Sequence, residues 1–249
     1  MGVNYLGILI SLIKIIFLLG FLIFIHEGGH FTVAKLCKVK VNQFAIGFGP
    51  EIFSHQGKET KYAIRLIPLG GFVSMEGEEK ESTDERAFNK ISIIKRIWIV
   101  SAGALTNIIF GLIVYMVLAL VVYKNMTDAL FAIKEFVLSL VESIKMMFTG
   151  HVGMKDLTGP VGISGIISKT ENLFQYLYMI SIISVSLGIT NLLPIPALDG
   201  GKIVLLLIEA IRKKPLKENT EITIQLIGFS IIIVLSIFVT YNDIHKLFY

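Results

Sequence analysis

One stretch constrains this chain more than any other. From Tyr5 to Ile25 it is apolar with one charge, Lys14, and it then runs without a proline into His26-Glu27-Gly28-Gly29-His30. A run of about 20 apolar residues suits a bilayer, where a backbone satisfies its own polar groups only as a helix or a closed barrel. The sequence therefore predicts one membrane-crossing helix over about residues 5–36. Lys14 and Lys35 stand 21 residues apart, about 31 Å at the helical rise, which matches the hydrocarbon thickness. Read as markers of the two faces, they place His30 about 8 Å inside the Lys35 end and His26 one turn deeper.

His26 and His30 are four residues apart, so on a helix they share a face and can offer two imidazole nitrogens to one tetrahedral zinc ion. Glu27 beside them is placed to act as general base. The bland alternative is a pair of satisfied core histidines. It is disfavoured because three ionisable side chains within five positions of an apolar segment are costly without a common partner.

The composition widens that reading to the whole chain. With 54% hydrophobic and 17% charged residues over 249 positions, the chain is too apolar for a soluble domain and long enough for about four spans. The fold class expected is an α-helical polytopic membrane protein. The net charge of +4 comes largely from loops and bears on orientation; it gives no support for nucleic-acid binding. A single cysteine, Cys37, excludes an internal disulfide and a four-cysteine metal site. The first apolar run lacks a preceding basic region and a small-residue cleavage site, so it reads as a retained span.

Beyond the first helix, residues of about 38–75 alternate β-branched and aromatic side chains between Gly and Pro, which predicts a small membrane-associated β region. Within it Tyr62 to Val73, with Pro68 and the Gly70-Gly71 pair, reads as a hairpin. Its open edge would receive an extended peptide, with Gly70 and Gly71 as candidate substrate contacts; the alternative is a structural hairpin that only shields the site. Glu76 to Arg86 is a charge run, expected to be a solvated loop. A second span over about 97–123 contains Gly103 and Asn107. Small residues let helices approach, and an asparagine at such a place hydrogen-bonds a neighbouring helix; Asn107 is also a candidate substrate contact.

Residues of about 129–148 sort Lys134, Glu135, Ser139, Glu142, Ser143 and Lys145 onto one half of a helical wheel, which predicts an interfacial amphipathic helix. A third span over about 173–193 ends in Asn191-Leu192-Leu193-Pro194-Ile195-Pro196-Ala197-Leu198-Asp199. The two prolines break the helix and deliver Asp199 from a loop at membrane depth, as a third metal ligand or as the N-cap of a helix over about 202–212. A fourth span follows over about 222–241. If the 129–148 helix lies flat, spans one and three run the same way and Asp199 returns to the face that holds His26 and His30. Lys35, Lys38, Lys40, Lys95 and Arg96, with Lys202, Arg212, Lys213, Lys214 and Lys217, then put the site on the cytoplasmic side and both termini outside.

The ordered motifs HEGGHFTVAK, FAIGFGP, IPLGGFV, SAGALTN, GPVGI at Gly159 to Ile163, NLLPIPALDGG and FVTYNDI together resemble the site-2 protease family of intramembrane zinc metalloproteases, in its bacterial regulator-cleaving type. The resemblance implies that His26, His30 and Asp199 bind one Zn2+ and that Glu27 activates water. It also implies that Asn191 and Pro194 hold substrate, and that the substrates are membrane-anchored proteins such as anti-sigma factors, cut in the bacterial cytoplasmic membrane. Two features depart from the family pattern. Ala104 stands where a proline is usual, and the interval of about Lys124 to Asp128 has no room for the PDZ domain that relatives often carry. A non-catalytic zinc-containing scaffold that binds transmembrane helices is the alternative; it predicts loss of Glu27 or of a ligand, and all four residues are present.

Overall fold

The computed structural model describes residues 5–248 except 79, 81 and 151–157, so Glu79 and Glu81 of the charge run lie outside the described residues. The order of elements is α1 (Tyr5–Leu36), β1 (Val41–Gln56), β2 (Lys61–Met75), a 3-10 turn (Phe88–Lys90), α2 (Ile93–Tyr123), α3 (Met126–Phe148), α4 (Pro160–Ser168), α5 (Leu173–Asn191), α6 (Asp199–Arg212) and α7 (Glu218–Phe248). Leu9–Leu36, Ile93–Tyr123, Leu173–Asn191 and Glu218–Lys246 are long and apolar enough to cross a membrane. The protein is a polytopic helical membrane protein with one small antiparallel sheet.

Several boundaries move outward from those expected. The second and fourth spans continue into flanking polar residues, because charge alone does not stop a helix as proline or a glycine cap does. Helix α3 begins earlier because Asn125 caps it, its side chain accepting from the Thr127 N–H at 2.9 Å. Helix α4, beginning in the GPVGI motif, was not foreseen in the sequence.

The described residues fall into two units by contact. One comprises those of 1–15, 109–186 and 230–249. In it α3 lies on the second half of α2 through Ala129, Ala132 and Phe136, with the Phe136 ring stacked on Tyr115 at 4.2 Å between centroids. Lys134, Glu135, Glu142 and Lys145 of α3 are exposed, as an amphipathic helix requires. Asp243 of α7 is buried and its Oδ2 accepts from the N–H groups of Gly159 and Gly162 at 2.9 and 2.8 Å, so a side chain from another helix satisfies the start of α4. Lys14, the lone charge of the first apolar run, donates through Nζ to the Thr170 carbonyl at 2.8 Å. A lysine in an apolar helix needs such a partner.

The second unit comprises 16–108 and 187–229. Its core joins Ala34 of α1, Val39, Val41 of β1, Met75 of β2, Phe88, Ile99 and Val100 of α2, and Leu206 of α6. Arg96 of α2 clamps Glu209 of α6 in a bidentate pair at 2.8 and 2.5 Å, mostly buried. Breaking such a pair by removing one partner costs about 3–5 kcal/mol.

The sheet corrects one sequence expectation. Tyr62 to Val73 is not a hairpin of its own: it lies within the single strand β2, which pairs with β1. Gln43, Phe44, Ala45 and Ile46 each face two partners, Ser74, Val73, Phe72 and Gly71 on one side and Lys61, Tyr62, Ala63 and Ile64 on the other. The chain passes through the Pro68-Leu69-Gly70 region because Gly70 takes φ of 126°, a value only glycine adopts freely. A Cβ there would strike the Phe48 ring.

Candidate metal centre

The site lies within the second unit and is built by four elements. Helix α1 presents His26 and His30 on successive turns, with Glu27 next to His26. It crosses α2 at Gly29, where a Cβ would lie 2.5 Å from Thr106 Oγ1 and 2.6 Å from the Ala102 carbonyl oxygen. Glycine inside the motif is thus the condition for backbone contact between the two helices. Gly71 of β2 plays the same part on the other flank, since a Cβ there would come within 2.9 Å of Glu27 Cγ and 2.8 Å of the Ala45 carbonyl.

The third candidate ligand arrives from the break after α5. Residues 192–198 are not helical, and Ala197 adopts φ of 74°, with its N–H donated to Gln225 Oε1 at 2.6 Å. Three glycines receive this segment. Gly200 packs on the Leu192 and Leu193 carbonyls, Gly201 on the Ile195 carbonyl and Gly228 of α7 on Pro196. Asp199 emerges as the first residue of α6, whose N-cap is Leu198. It is therefore not the helix cap, and its carboxylate turns to the histidines instead.

There the nitrogen and oxygen atoms converge. His26 Nε2 and His30 Nε2 are 3.2 Å apart, and Asp199 Oδ2 lies 3.2 Å from the first and 3.5 Å from the second. One donor atom from each residue falls within 4.8 Å of the others. Asp199 Oδ2 is buried yet makes no hydrogen bond of sound geometry. A buried oxygen facing two imidazole nitrogens, unsatisfied by any of them, is what a metal ion fills. Two neutral imidazoles and a carboxylate are a donor set suited to zinc with a fourth position open. Gly103 of α2 leaves the necessary room, for a Cβ there would collide with both Nε2 atoms.

A cavity of about 290 Å³ opens beside these atoms, lined among others by Glu27, Gly71, Phe72, Asn191 and Lys202. Lys202, one turn beyond Asp199 on α6, pairs with Glu78 across the cavity at 2.5 Å. Of the residues singled out in the sequence, His26, Glu27, His30, Asp199, Gly71 and Asn191 meet here, whereas Gly70, Pro194 and Asn107 are not among the lining residues. Asn107 is fully buried with its amide 3.5 Å from His26 Nδ1. Gly103, Glu78 and Lys202 carried no site role in the sequence reading. For Gly103 the available signal was its place four residues before Asn107 on one helix face.

Known proteins share this arrangement of sequence. The profile of "Peptidase family M50" matches residues 14–235. A protein of Clostridium acetobutylicum, whose name marks it as a candidate zinc metalloprotease, is 30% identical over 90% of this chain and 94% of its own length. The zinc metalloprotease RasP of Geobacillus kaustophilus is 24% identical over 96% of this chain and 98% of its own. These alignments extend over 320 and 414 positions against the 249 residues here, so both relatives carry segments that this chain lacks.

Proposed function

From the premise that the chain belongs to peptidase family M50, we propose that it is an intramembrane zinc metalloprotease of site-2 type. It hydrolyses peptide bonds in or near the transmembrane segments of membrane-anchored regulatory proteins, anti-sigma factors among them. The observation that carries this reading is the convergence of His26, His30 and Asp199 within 4.8 Å, beside a cavity that Glu27 also lines. His26, His30 and Asp199 would hold the zinc, which would supply a Lewis acid for the scissile carbonyl and a water acidified toward a pKa of about 7.

Glu27 accepts the proton of the attacking water and returns it to the leaving amine, as a general base and then acid must. Asn191 and Pro194, at the break that delivers Asp199, help hold the peptide. A helical substrate shields its own carbonyls, so it has to be unwound before it can be cut. Residues Gly71 to Met75 pair with β1 on one side in the sheet register, and Gly71, Phe72, Val73 and Met75 line the cavity. The unwound peptide adds to this strand, which satisfies its backbone while reading little of its sequence. The site faces the cytoplasmic side of a bacterial inner membrane, with both termini outside, in keeping with the basic residues that flank it.

The test separates ligand from base. Glu27→Gln should keep its zinc and lose cleavage of a single-span model substrate, whereas His26→Ala and Asp199→Ala should lose both. A Glu27→Gln protein that still cuts would remove the catalytic assignment.

A further inference from the structure

Helix α2 touches the metal centre at three points spaced four residues apart, and together they account for every ring nitrogen of the two histidines. The first is the Ile99 carbonyl, 2.8 Å from His30 Nδ1. The second is Gly103, whose bare Cα leaves room for both Nε2 atoms. The third is Asn107, whose side-chain amide is 3.5 Å from His26 Nδ1. Positions four apart lie on one face of a helix, so a single stripe of α2 forms the floor under both rings.

The chemistry of the rings fixes what this stripe has to supply. An imidazole that binds a metal through Nε2 is neutral, so its one proton sits on Nδ1 and needs an acceptor. For His30 the Ile99 carbonyl is that acceptor. For His26 the facing group is the Asn107 side-chain amide, whose Nδ2 is itself a donor, and two donors face to face cannot bond. Amide oxygen and nitrogen are assigned from the hydrogen-bond network, so the orientation with Oδ1 toward the ring follows once the proton is placed. Resting on the reading of His26 as a ligand through Nε2, we infer that Asn107 is its positioning residue: Oδ1 accepts the Nδ1 proton, which fixes the tautomer and aims Nε2 at the metal. Full burial of Asn107 within α2 holds the amide in place. The residue thus acts on substrate through His26, and its reach to the cavity is indirect.

The experiment compares zinc affinity, by competition with a chelator in detergent, among the parent, Asn107→Asp, Asn107→Leu and Asn107→Ala. Aspartate keeps an oxygen acceptor; leucine removes it and keeps water out; alanine removes it without steric load if the leucine variant fails to fold. The expected result is a loss of about 10–100-fold for the variants without an acceptor, with aspartate at or above the parent affinity. Equal losses in Asp and Ala would reduce Asn107 to packing and overturn the inference, as would parent affinity in Leu or Ala. His26→Ala is measured beside them. If it too binds zinc like the parent, the metal assignment itself has failed, an outcome distinct from failure at Asn107 alone.

Discussion

Replacing Gly103 with alanine sets two effects of one methyl group against each other. Gly103 lies inside α2, where alanine is the better helix former by about 1 kcal/mol, so by local propensity Gly103→Ala stabilises the protein. The added Cβ, however, meets His26 Nε2 at 2.8 Å and His30 Nε2 closer still. A Cβ in ordinary contact stands 3.4–4 Å from its neighbours, so each ring must withdraw by about 0.6 Å or more. Zinc–nitrogen bonds tolerate about 0.2 Å. The displacement exceeds that threefold, and a zinc affinity lower by about 100-fold or more is expected, equivalent to about 2.7 kcal/mol. Gly20→Ala is the control, because a Cβ at Gly20 meets nothing within 4 Å. Metal affinity by chelator competition and thermal unfolding of the metal-free protein are measured for both. Gly20→Ala should bind zinc as the parent does, while Gly103→Ala should fold and bind it poorly. A folded Gly103→Ala protein with parent affinity would refute the placement of α2 beneath the imidazoles.

Removing the Asp243 carboxylate with Asp243→Ala leaves the Gly159 and Gly162 N–H groups unpaired. It should cost about 1–3 kcal/mol for each, read as a lower unfolding midpoint; an unchanged midpoint would sink the capping role. Glu59 is held down to about 2 by its hydrogen bonds with Lys35 and Arg86. Since its folded value is depressed, its contribution is present above the unfolded value near 4.5 and is lost as the pH falls through about 2. Glu59→Gln should therefore flatten the stability profile in that window, and an unaltered acid limb would argue against it. Cysteines placed one at a time at Glu135 and Lys145, with Cys37→Ala, should label from the same external side, since α3 lies flat in the proposed topology. Labelling from opposite sides would mean that it spans.

The parts of the site that sequence disclosed are those governed by local rules. The four-residue spacing of His26 and His30 is a property of one helix, and the paired prolines at 194 and 196 dictate a break whatever surrounds them. Where the rule is non-local, sequence was silent or misleading. Pro68 and Gly70 carry the marks of a hairpin turn, yet the segments that flank them do not pair with each other but lie on either side of Gln43 to Ile46, about 20 residues earlier. The cap on α4 comes from Asp243, 84 positions from Gly159, where no local pattern announces it. Asn107 was visible as an unusual residue, but its partner was not, because the close approach of α1 to α2 rests on Gly29 of one helix lying against Ala102 and Thr106 of the other.

The glycine-lined socket around Pro196 has a bearing on how such a protein is made. His26 and His30 leave the ribosome early, whereas Asp199 is held in place by a segment that also needs Gln225 and Gly228 of α7. In the proposed site the third ligand thus waits for nearly the whole chain to be synthesised, and a partial chain offers only His26 and His30. Two donors bind zinc far less tightly than three, and metal affinity is in effect part of the folding free energy. In the proposed site, therefore, full metal affinity is expected only once α7 is in place to hold the segment that carries Asp199.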